Sequence, residues 1–240
     1  MCEVCNRKTI ARRKFFSFVG LGAAVGATLI VPGETWAAGG STTSMTADQA
    51  LEKLRSGNEK YMKSPEVCAA DLAKGRAKIA SSQAPWATLL SCADSRVPLE
   101  LLFGGLSVGD LFVARNAGNM VDTATMGTIE YGAAVLGVPL IVVLGHERCG
   151  AVAAACDVVT KKATFPGSIG PMVKAIVPAA AAVKGKSGDF VDNAVMESAK
   201  RTAIQIATKS KIVADLVKAS KVKVVAGRYD LDDGKVEWLS

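Results

Sequence analysis

Residues 140–150, LIVVLGHERCG, contain the most strand-like run of the chain, Leu140–Leu144, followed directly by His146 and Cys149. Five consecutive apolar residues before a glycine are typical of a strand that is buried on both faces. A helix is predicted to follow over Arg148–Val159. His146 and Cys149 would therefore lie at the carboxyl end of a strand, which is the edge where open α/β sheets bind their ligands.

The segments on either side repeat this alternation of short apolar runs and helical patterns. Strands are predicted at Trp86–Cys92, Leu111–Ala114, Val222–Ala226 and Val236–Leu239, with a turn at 232–234 before the last of them. Helices are predicted at 46–62, 68–80, 125–136, 171–184, 188–208 and 211–219, the first of them beginning with a capping box of Thr46 and Gln49. The alternation predicts an α/β fold, a mainly parallel sheet flanked by helices.

Composition narrows the class of protein further. The chain has 240 residues, half of them hydrophobic, which is enough for one domain with a substantial core. Its formal charge is +7, of which residues 1–37 carry +3. Basic residues are not interleaved with aromatic ones, so we expect no nucleic-acid partner. The chain has a single histidine, His146, which excludes any site that needs two histidines from one chain.

Residues 1–37 have the pattern of an export signal. A basic stretch ends at Lys14, the run 15–31 is apolar and uncharged, and small residues follow at Ala37 and Ala38. The pair Arg12-Arg13 resembles the twin-arginine signal of proteins that are exported already folded. The prediction is cleavage after Ala37, no membrane anchor afterwards, and a location in the bacterial periplasm. The alternative is an uncleaved transmembrane helix, for which the run is short and contains four Gly or Ser residues.

His146 and Cys149 are candidate metal ligands, and Cys92 is a third. Cys92 ends the first predicted strand and would reach the same sheet edge as the other two. Two thiolates and one imidazole suit zinc, and three protein ligands leave the fourth tetrahedral position open, as in catalytic zinc sites. The alternative for any one cysteine is a small buried apolar side chain. We prefer that interpretation for Cys68 and Cys156.

The segments around these residues resemble the β-class carbonic anhydrases. The resemblance covers about residues 46–240 and lies in five motifs: CADSRVP at 92–98 for C-x-D-S-R, RNAGN at 115–119 for R-N-x-x-N, TIEYGA at 128–133, GHERCG at 145–150 for G-H-x-x-C-G, and GRYDLDDGKV at 227–236. It implies reversible hydration of carbon dioxide to bicarbonate and a proton. It also implies one zinc ion per chain, held by Cys92, His146 and Cys149.

The same resemblance assigns Asp94 and Arg96 to a catalytic dyad beside the zinc ion. The carboxylate would orient the attacking oxygen, and the guanidinium would keep that carboxylate ionised and correctly aimed. Some relatives have a closed form in which this Asp is a fourth zinc ligand. Several of those carry Trp three residues before the first Cys, where this chain has Leu89, so we expect the open form. Because no second histidine is present, buffer or water, helped by Tyr131 or Asp94, is expected to carry the proton.

The fold implied by the resemblance has an N-terminal helical arm that embraces a partner, in a homodimer or a multiple of dimers. The chain then divides into a signal peptide at 1–37, a linker at 38–45 and a catalytic domain at 46–240.

Three other functions are compatible with parts of this pattern. A hydrolase of carbonyl sulfide or carbon disulfide would use the same zinc site. A non-catalytic zinc-binding sensor would not need the Asp94–Arg96 pair. A thiol redox protein using Cys149 and Cys156 is disfavoured, because the only Cys-x-x-Cys, Cys2 to Cys5, lies in the signal segment.

Overall fold

The central sheet has the strand order β2-β1-β3-β4-β5 in the computed structural model, which describes residues 42–64 and 79–239. The strands are β1 Ala87–Cys92, β2 Leu111–Asn116, β3 Leu140–His146, β4 Lys223–Tyr229 and β5 Val236–Leu239. Strands β1 to β4 are parallel to one another, and β5 pairs antiparallel with β4. The predicted α/β class with a mainly parallel sheet is confirmed.

Helices cover both faces of this sheet. Within the described residues they are α1 Ala47–Lys63, α2 Leu99–Leu102, α3 Thr123–Glu130, α4 Gly150–Lys161, α5 Ile169–Val183, α6 Phe190–Lys209 and α7 Lys211–Lys218. Helix α3 continues into a π-helical turn at Tyr131–Val135. In this part of the chain no helix is both long and apolar enough to cross a membrane.

Alternate residues of the central strands enter two separate hydrophobic clusters. Leu89 and Val142 pack in a cluster with residues of α1 and α2, whereas Leu90 and Val143 pack on the other face with residues of α3, α6 and α7. Side chains of a strand point alternately to the two faces, so both faces of β1 and β3 are buried. This arrangement explains why LIVVL is apolar at every position rather than at every second one.

A buried asparagine connects helix α1 to the rest of the domain. The capping box of Thr46 and Gln49 is present, and Asn58 is only 3% exposed. The Asn58 side-chain amide donates to the carbonyls of Leu102 (3.0 Å) and Gly234 (2.8 Å), and its Oδ1 accepts from the Val236 amide at 2.8 Å. These bonds join α1 to α2 and to the turn before β5.

Some helices begin at other residues than predicted, because a capping side chain or a left-handed backbone sets their first residue. Helix α4 begins at Gly150 rather than Arg148, because Arg148 has a left-handed backbone with φ of 52°. Helix α3 begins at Thr123 rather than Thr125, because the Asp122 carboxylate caps it. Helix α2 was not predicted, and β4 extends to Tyr229 instead of ending at Ala226.

Some predictions concern residues that the structure does not describe. The signal segment at 1–37 lies wholly outside the described residues, as do the first half of the linker at 38–45 and most of the helix predicted at 68–80.

Candidate metal centre

The three predicted ligand side chains meet at the carboxyl ends of two adjacent parallel strands. Cys92 is the last residue of β1, His146 is the last residue of β3, and Cys149 precedes the first turn of α4. The sulfur atoms of Cys92 and Cys149 are 3.9 Å apart, and one ligand atom from each of the three residues lies within 4.8 Å of the others. All three side chains are buried. The residues form a possible metal site.

The orientation of His146 fits a metal ligand. Its side chain is fully buried, and Nδ1 lies 2.9 Å from the main-chain carbonyl oxygen of Glu147. That carbonyl can only accept, so Nδ1 carries the proton and Nε2 presents its lone pair. Nε2 has no hydrogen-bond partner among the described residues, which is costly for a buried polar atom. A metal ion at Nε2 would remove that cost, and metal-ligating histidines commonly donate their other N–H in this way.

The two thiols are electrostatically different. The neighbouring Cys149 thiol, His146 and the Gly118 amide, which is 3.4 Å from the Cys92 sulfur, together lower the pKa of Cys92 to about 4. Cys149 shifts the other way: sharing a proton with Cys92, together with burial, raises the pKa of Cys149. The pKa values of the two thiols therefore shift in opposite directions, and Cys92 is the thiol that ionises first. A thiolate in this environment is suited to a soft divalent cation.

Arg115 fixes the loop that follows Cys92, and Asn116 fixes a second loop that contacts the Cys92 sulfur. The Arg115 guanidinium donates to the main-chain oxygens of Cys92 (2.9 Å) and Asp94 (2.7 Å). The Asn116 side chain closes the next loop through two hydrogen bonds to the Met120 backbone, at 2.8 and 3.0 Å. That closure places Gly118 against the Cys92 sulfur. The sequence identified this segment by resemblance only, because its role depends on contacts across two strands.

Gly118 occupies a position that strongly favours glycine. Its φ is +80°, which L side chains rarely adopt. A Cβ there would lie 2.5 Å from the Ile176 Cδ1 and 3.1 Å from the Ala151 Cβ. Glycine at this position therefore allows the loop to approach α4 and α5 closely.

Asp94 and Arg96 form an ion pair at the solvent side of the ligand cluster. The Arg96 Nε and Nη2 donate to the two Asp94 carboxylate oxygens at 2.9 and 2.8 Å. This guanidinium holds the pKa of Asp94 well below its usual range. The Asp94 Oδ2 lies 3.7 Å from the His146 Nε2, and the two side chains are 18% and 0% exposed. Arg96, 50% exposed, faces solvent. A carboxylate held by arginine in this way is the arrangement expected of the open form.

Two residues singled out in the sequence lie away from the cluster. Tyr131 stacks on Phe112, with ring centroids 6.0 Å apart, and Phe112 pairs with Thr88, four residues before Cys92. At about 3.3 Å per strand residue, Thr88 lies roughly 13 Å along β1 from Cys92, so Tyr131 packs beside a part of the strand away from the cluster. Cys156 is buried inside α4, and burial raises its pKa to about 11, as expected of a packing residue.

The fold and this site define an α/β protein with a Cys-His-Cys cluster at the carboxyl edge of a parallel sheet. The carbonic anhydrase family profile matches residues 87–236. The chain is 33% identical to carbonic anhydrase 2 of Mycobacterium tuberculosis over 186 residues, covering 78% of this chain and 89% of that protein. It is 34% identical to the carbonic anhydrase of Mycolicibacterium smegmatis over 191 residues, covering 80% and 92%.

Solved structures agree with the sequence relatives. The Coccomyxa β-carbonic anhydrase in complex with acetazolamide is 30% identical, has a TM-score of 0.61, and is matched over 79% of this chain and 86% of that one. A tetrameric β-carbonic anhydrase of Sordaria macrospora has the same fold at 24% identity, with a TM-score of 0.62 and coverage of 68% and 85%. The chain belongs to the β-class carbonic anhydrase family, whose enzymes are lyases.

Proposed function

We propose that the protein catalyses the reversible hydration of carbon dioxide to bicarbonate and a proton, using one zinc ion per chain held by Cys92, His146 and Cys149. The observation that supports this most strongly is the unpartnered, fully buried His146 Nε2 beside two sulfur atoms. One imidazole and two thiolates are ligands that zinc prefers. Three protein ligands leave one tetrahedral position for water or substrate.

Bound zinc would acidify a water molecule, so that a nucleophilic oxygen is available near neutral pH. Asp94 supplies an acceptor for that step. Because Arg96 keeps the carboxylate ionised, the Asp94 oxygens can only accept hydrogen bonds, and Oδ2 lies 3.7 Å from the His146 Nε2. With zinc bound, Asp94 would accept a hydrogen bond from the attacking oxygen and orient that oxygen toward the carbon of carbon dioxide. The two hydrogen bonds from Arg96 fix the plane of the carboxylate, and Arg115 fixes the loop beneath it.

For Asp94 to become a fourth metal ligand, as in a closed form, its carboxylate would have to leave the guanidinium of Arg96. The two side-chain hydrogen bonds at 2.8 and 2.9 Å, and the bond from the Arg96 main-chain amide at 2.9 Å, oppose that movement. We therefore propose the open arrangement as the resting form.

The released proton needs a route to solvent that does not use histidine. The only histidine in the chain is His146, which is assigned to the metal. Arg96, on the far side of Asp94, is half exposed, so the dyad marks the solvent-facing side of the site. We propose that water and buffer accept the proton there.

Stopped-flow hydration of carbon dioxide, with the zinc content measured on the same sample, tests this function. We expect rapid hydration with one zinc per chain, and loss of both in Cys149→Ala. Cys156→Ala is the matched control, because Cys156 is a buried cysteine of the adjacent helix that lies outside the cluster. Absence of zinc from the wild type would refute the proposed site. One zinc per chain without hydration would instead favour a carbonyl sulfide or carbon disulfide hydrolase, or a sensor.

We also propose a homodimer or a multiple of dimers. The support is a Tyr131 side chain that is 42% exposed while stacked on Phe112, together with the fold shared with a tetrameric enzyme. Light scattering of the purified protein tests this, and a monomer at micromolar concentration would contradict it.

Export to the periplasm is proposed from residues 1–37 alone. Replacing both arginines, Arg12→Lys and Arg13→Lys, should leave the protein in the cytoplasm, whereas Arg7→Lys, in the same basic region, should not. N-terminal sequencing of the exported protein would test cleavage after Ala37.

A further inference from the structure

One short turn contacts both halves of the candidate site. The main-chain oxygen of Glu147 accepts from the His146 Nδ1 at 2.9 Å, and the main-chain oxygen of Arg148 accepts from the Arg96 Nη2 at 3.4 Å. Two consecutive carbonyls therefore set the orientation of the imidazole and of the guanidinium that holds Asp94. Any displacement of this turn would move both groups together.

The turn has a conformation that needs support from its surroundings. Arg148 has φ of 52°, a left-handed backbone that is uncommon for residues other than Gly, Asn and Asp. Such residues persist where neighbouring contacts hold them. The side chains of Glu147 and Arg148 are the first contacts to consider, because they belong to the turn itself.

The Glu147 carboxylate is held from several directions in a mostly buried position. Its Oε2 accepts from the Leu231 amide at 3.2 Å, and its Oε1 lies 3.2 Å from the Arg148 Nη1 and 3.8 Å from the Arg228 Nη2. Glu147 is 17% and Arg228 is 12% exposed. Arg228 is itself fixed by Asp192 at 2.6 Å. This set of contacts connects the turn to β4 and α6.

The Arg148 side chain is a weaker support. It pairs with Asp232 at 2.6 and 3.0 Å, but the two side chains are 52% and 70% exposed. Water and salt compete with ion pairs in such positions, and most contribute little to stability. Of the two side chains, Glu147 therefore has the stronger hold on the turn.

We propose that Glu147 is a positioning residue, which aligns the metal-binding histidine and the Asp94–Arg96 pair through the turn at 147–148. The inference rests on the proposed zinc site. Residues that orient metal ligands typically affect metal affinity or activity by about tenfold to a hundredfold when they are replaced. We expect Glu147→Ala to release zinc to a chromogenic chelator about tenfold faster than the wild type.

Two further variants make this measurement specific. Glu147→Gln keeps the length and an acceptor for the Leu231 amide but loses the charge that faces Arg148 and Arg228, so its zinc-release rate should lie between those of the wild type and Glu147→Ala. Asp232→Asn is the matched control, because it alters a carboxylate of the same charged cluster that is mostly exposed, and its rate should equal that of the wild type. If Glu147→Ala does not fold, Glu147→Gln decides: a rate between two and five times that of the wild type supports the proposal, and an unchanged rate overturns it.

A direct spectroscopic measurement separates positioning from a general loss of stability. Because the chain has one histidine, an imidazole ¹H–¹⁵N spectrum of untagged protein reports on His146 without assignment. The wild type should show a protected Nδ1 proton, which Glu147→Ala broadens or loses at a temperature where the variant remains folded. An unchanged Nδ1 signal with an unchanged zinc-release rate would refute the proposal. A wild type that binds no zinc would refute the proposed function instead.

Discussion

Replacing Gly118 with alanine should lower the stability of the protein substantially, although it adds only one methyl group. The position has φ of +80°, where a Cβ costs about 1–2 kcal/mol. The added methyl would also lie 2.5 Å from the Ile176 Cδ1, and Ile176 is itself 2% exposed and therefore has little room to move. Overpacking of this kind costs about 1–3 kcal/mol. The two effects together predict a loss of about 2–5 kcal/mol in the free energy of unfolding.

Gly127→Ala is the matched control for this variant. Gly127 lies on an exposed position of α3, and a Cβ there meets no atom within 4 Å outside the helix's own backbone. Alanine should therefore stabilise the protein by about 0.5–1 kcal/mol, because glycine is the poorer helix former. One methyl group is added in both variants, yet the predicted effects have opposite signs.

Urea unfolding of the zinc-loaded proteins at equal protomer concentration measures both effects. Equal concentration is needed because assembly and metal binding both contribute to apparent stability. The change is read from the transition midpoint at constant slope. A loss below 1 kcal/mol for Gly118→Ala, or equal behaviour of the two variants, would show that the loop at 116–120 adapts and that glycine is not required there.

Three further predictions concern the chemistry of the site. Because Arg96 holds the pKa of Asp94 well below its usual range, the carboxylate is ionised at both pH 6 and pH 8. Asp94→Asn should therefore lower kcat by the same factor at the two pH values, and a factor that varies with pH would contradict this. Zinc binding to the apoprotein at about pH 6, where a zinc-bound water stays mostly protonated, should release about one proton rather than two, because the pKa of Cys92 is lowered and that of Cys149 is raised. Calorimetry in buffers of different ionisation enthalpy counts the protons, and a count of two would contradict this assignment. The rate of carbon dioxide hydration near pH 7 should rise with buffer concentration, because the chain has no second histidine to carry the proton. A rate that does not change with buffer concentration would require an internal proton shuttle.

The parts of the fold that the sequence predicted well are those determined by local pattern. Leu140–Leu144 is a strand because five apolar residues in a row require burial on both faces, and β3 contains all five. Thr46 and Gln49 predicted the start of α1 to within one residue, since a capping box is a local device. The gathering of Cys92, His146 and Cys149 followed from placing each after a parallel strand.

The parts that were missed depend on contacts between distant residues. Arg148 is left-handed because the turn is shaped by its contacts with β4 and with the site, so α4 begins two residues later than its helical pattern suggests. The π-helical turn after α3 places Gly132 where a Cβ would lie 2.7 Å from the Thr88 hydroxyl, a contact between segments 44 residues apart. The roles of Arg115 and Glu147 likewise appear only when separate loops are brought together.

The two sulfur atoms that lie 3.9 Å apart also link the metal content of the protein to its oxidation state. While zinc occupies both thiolates, neither is available to an oxidant. Once the ion is lost, one sulfur is already a nucleophile at neutral pH and the other lies next to it, so mild oxidation would join them and close the site. In an oxidising compartment, adding zinc alone would not restore the metal site of such a molecule, because the bond between the two sulfur atoms would first have to be reduced. If the protein is exported as we propose, the fraction that has bound zinc before export would determine how much of the protein is active.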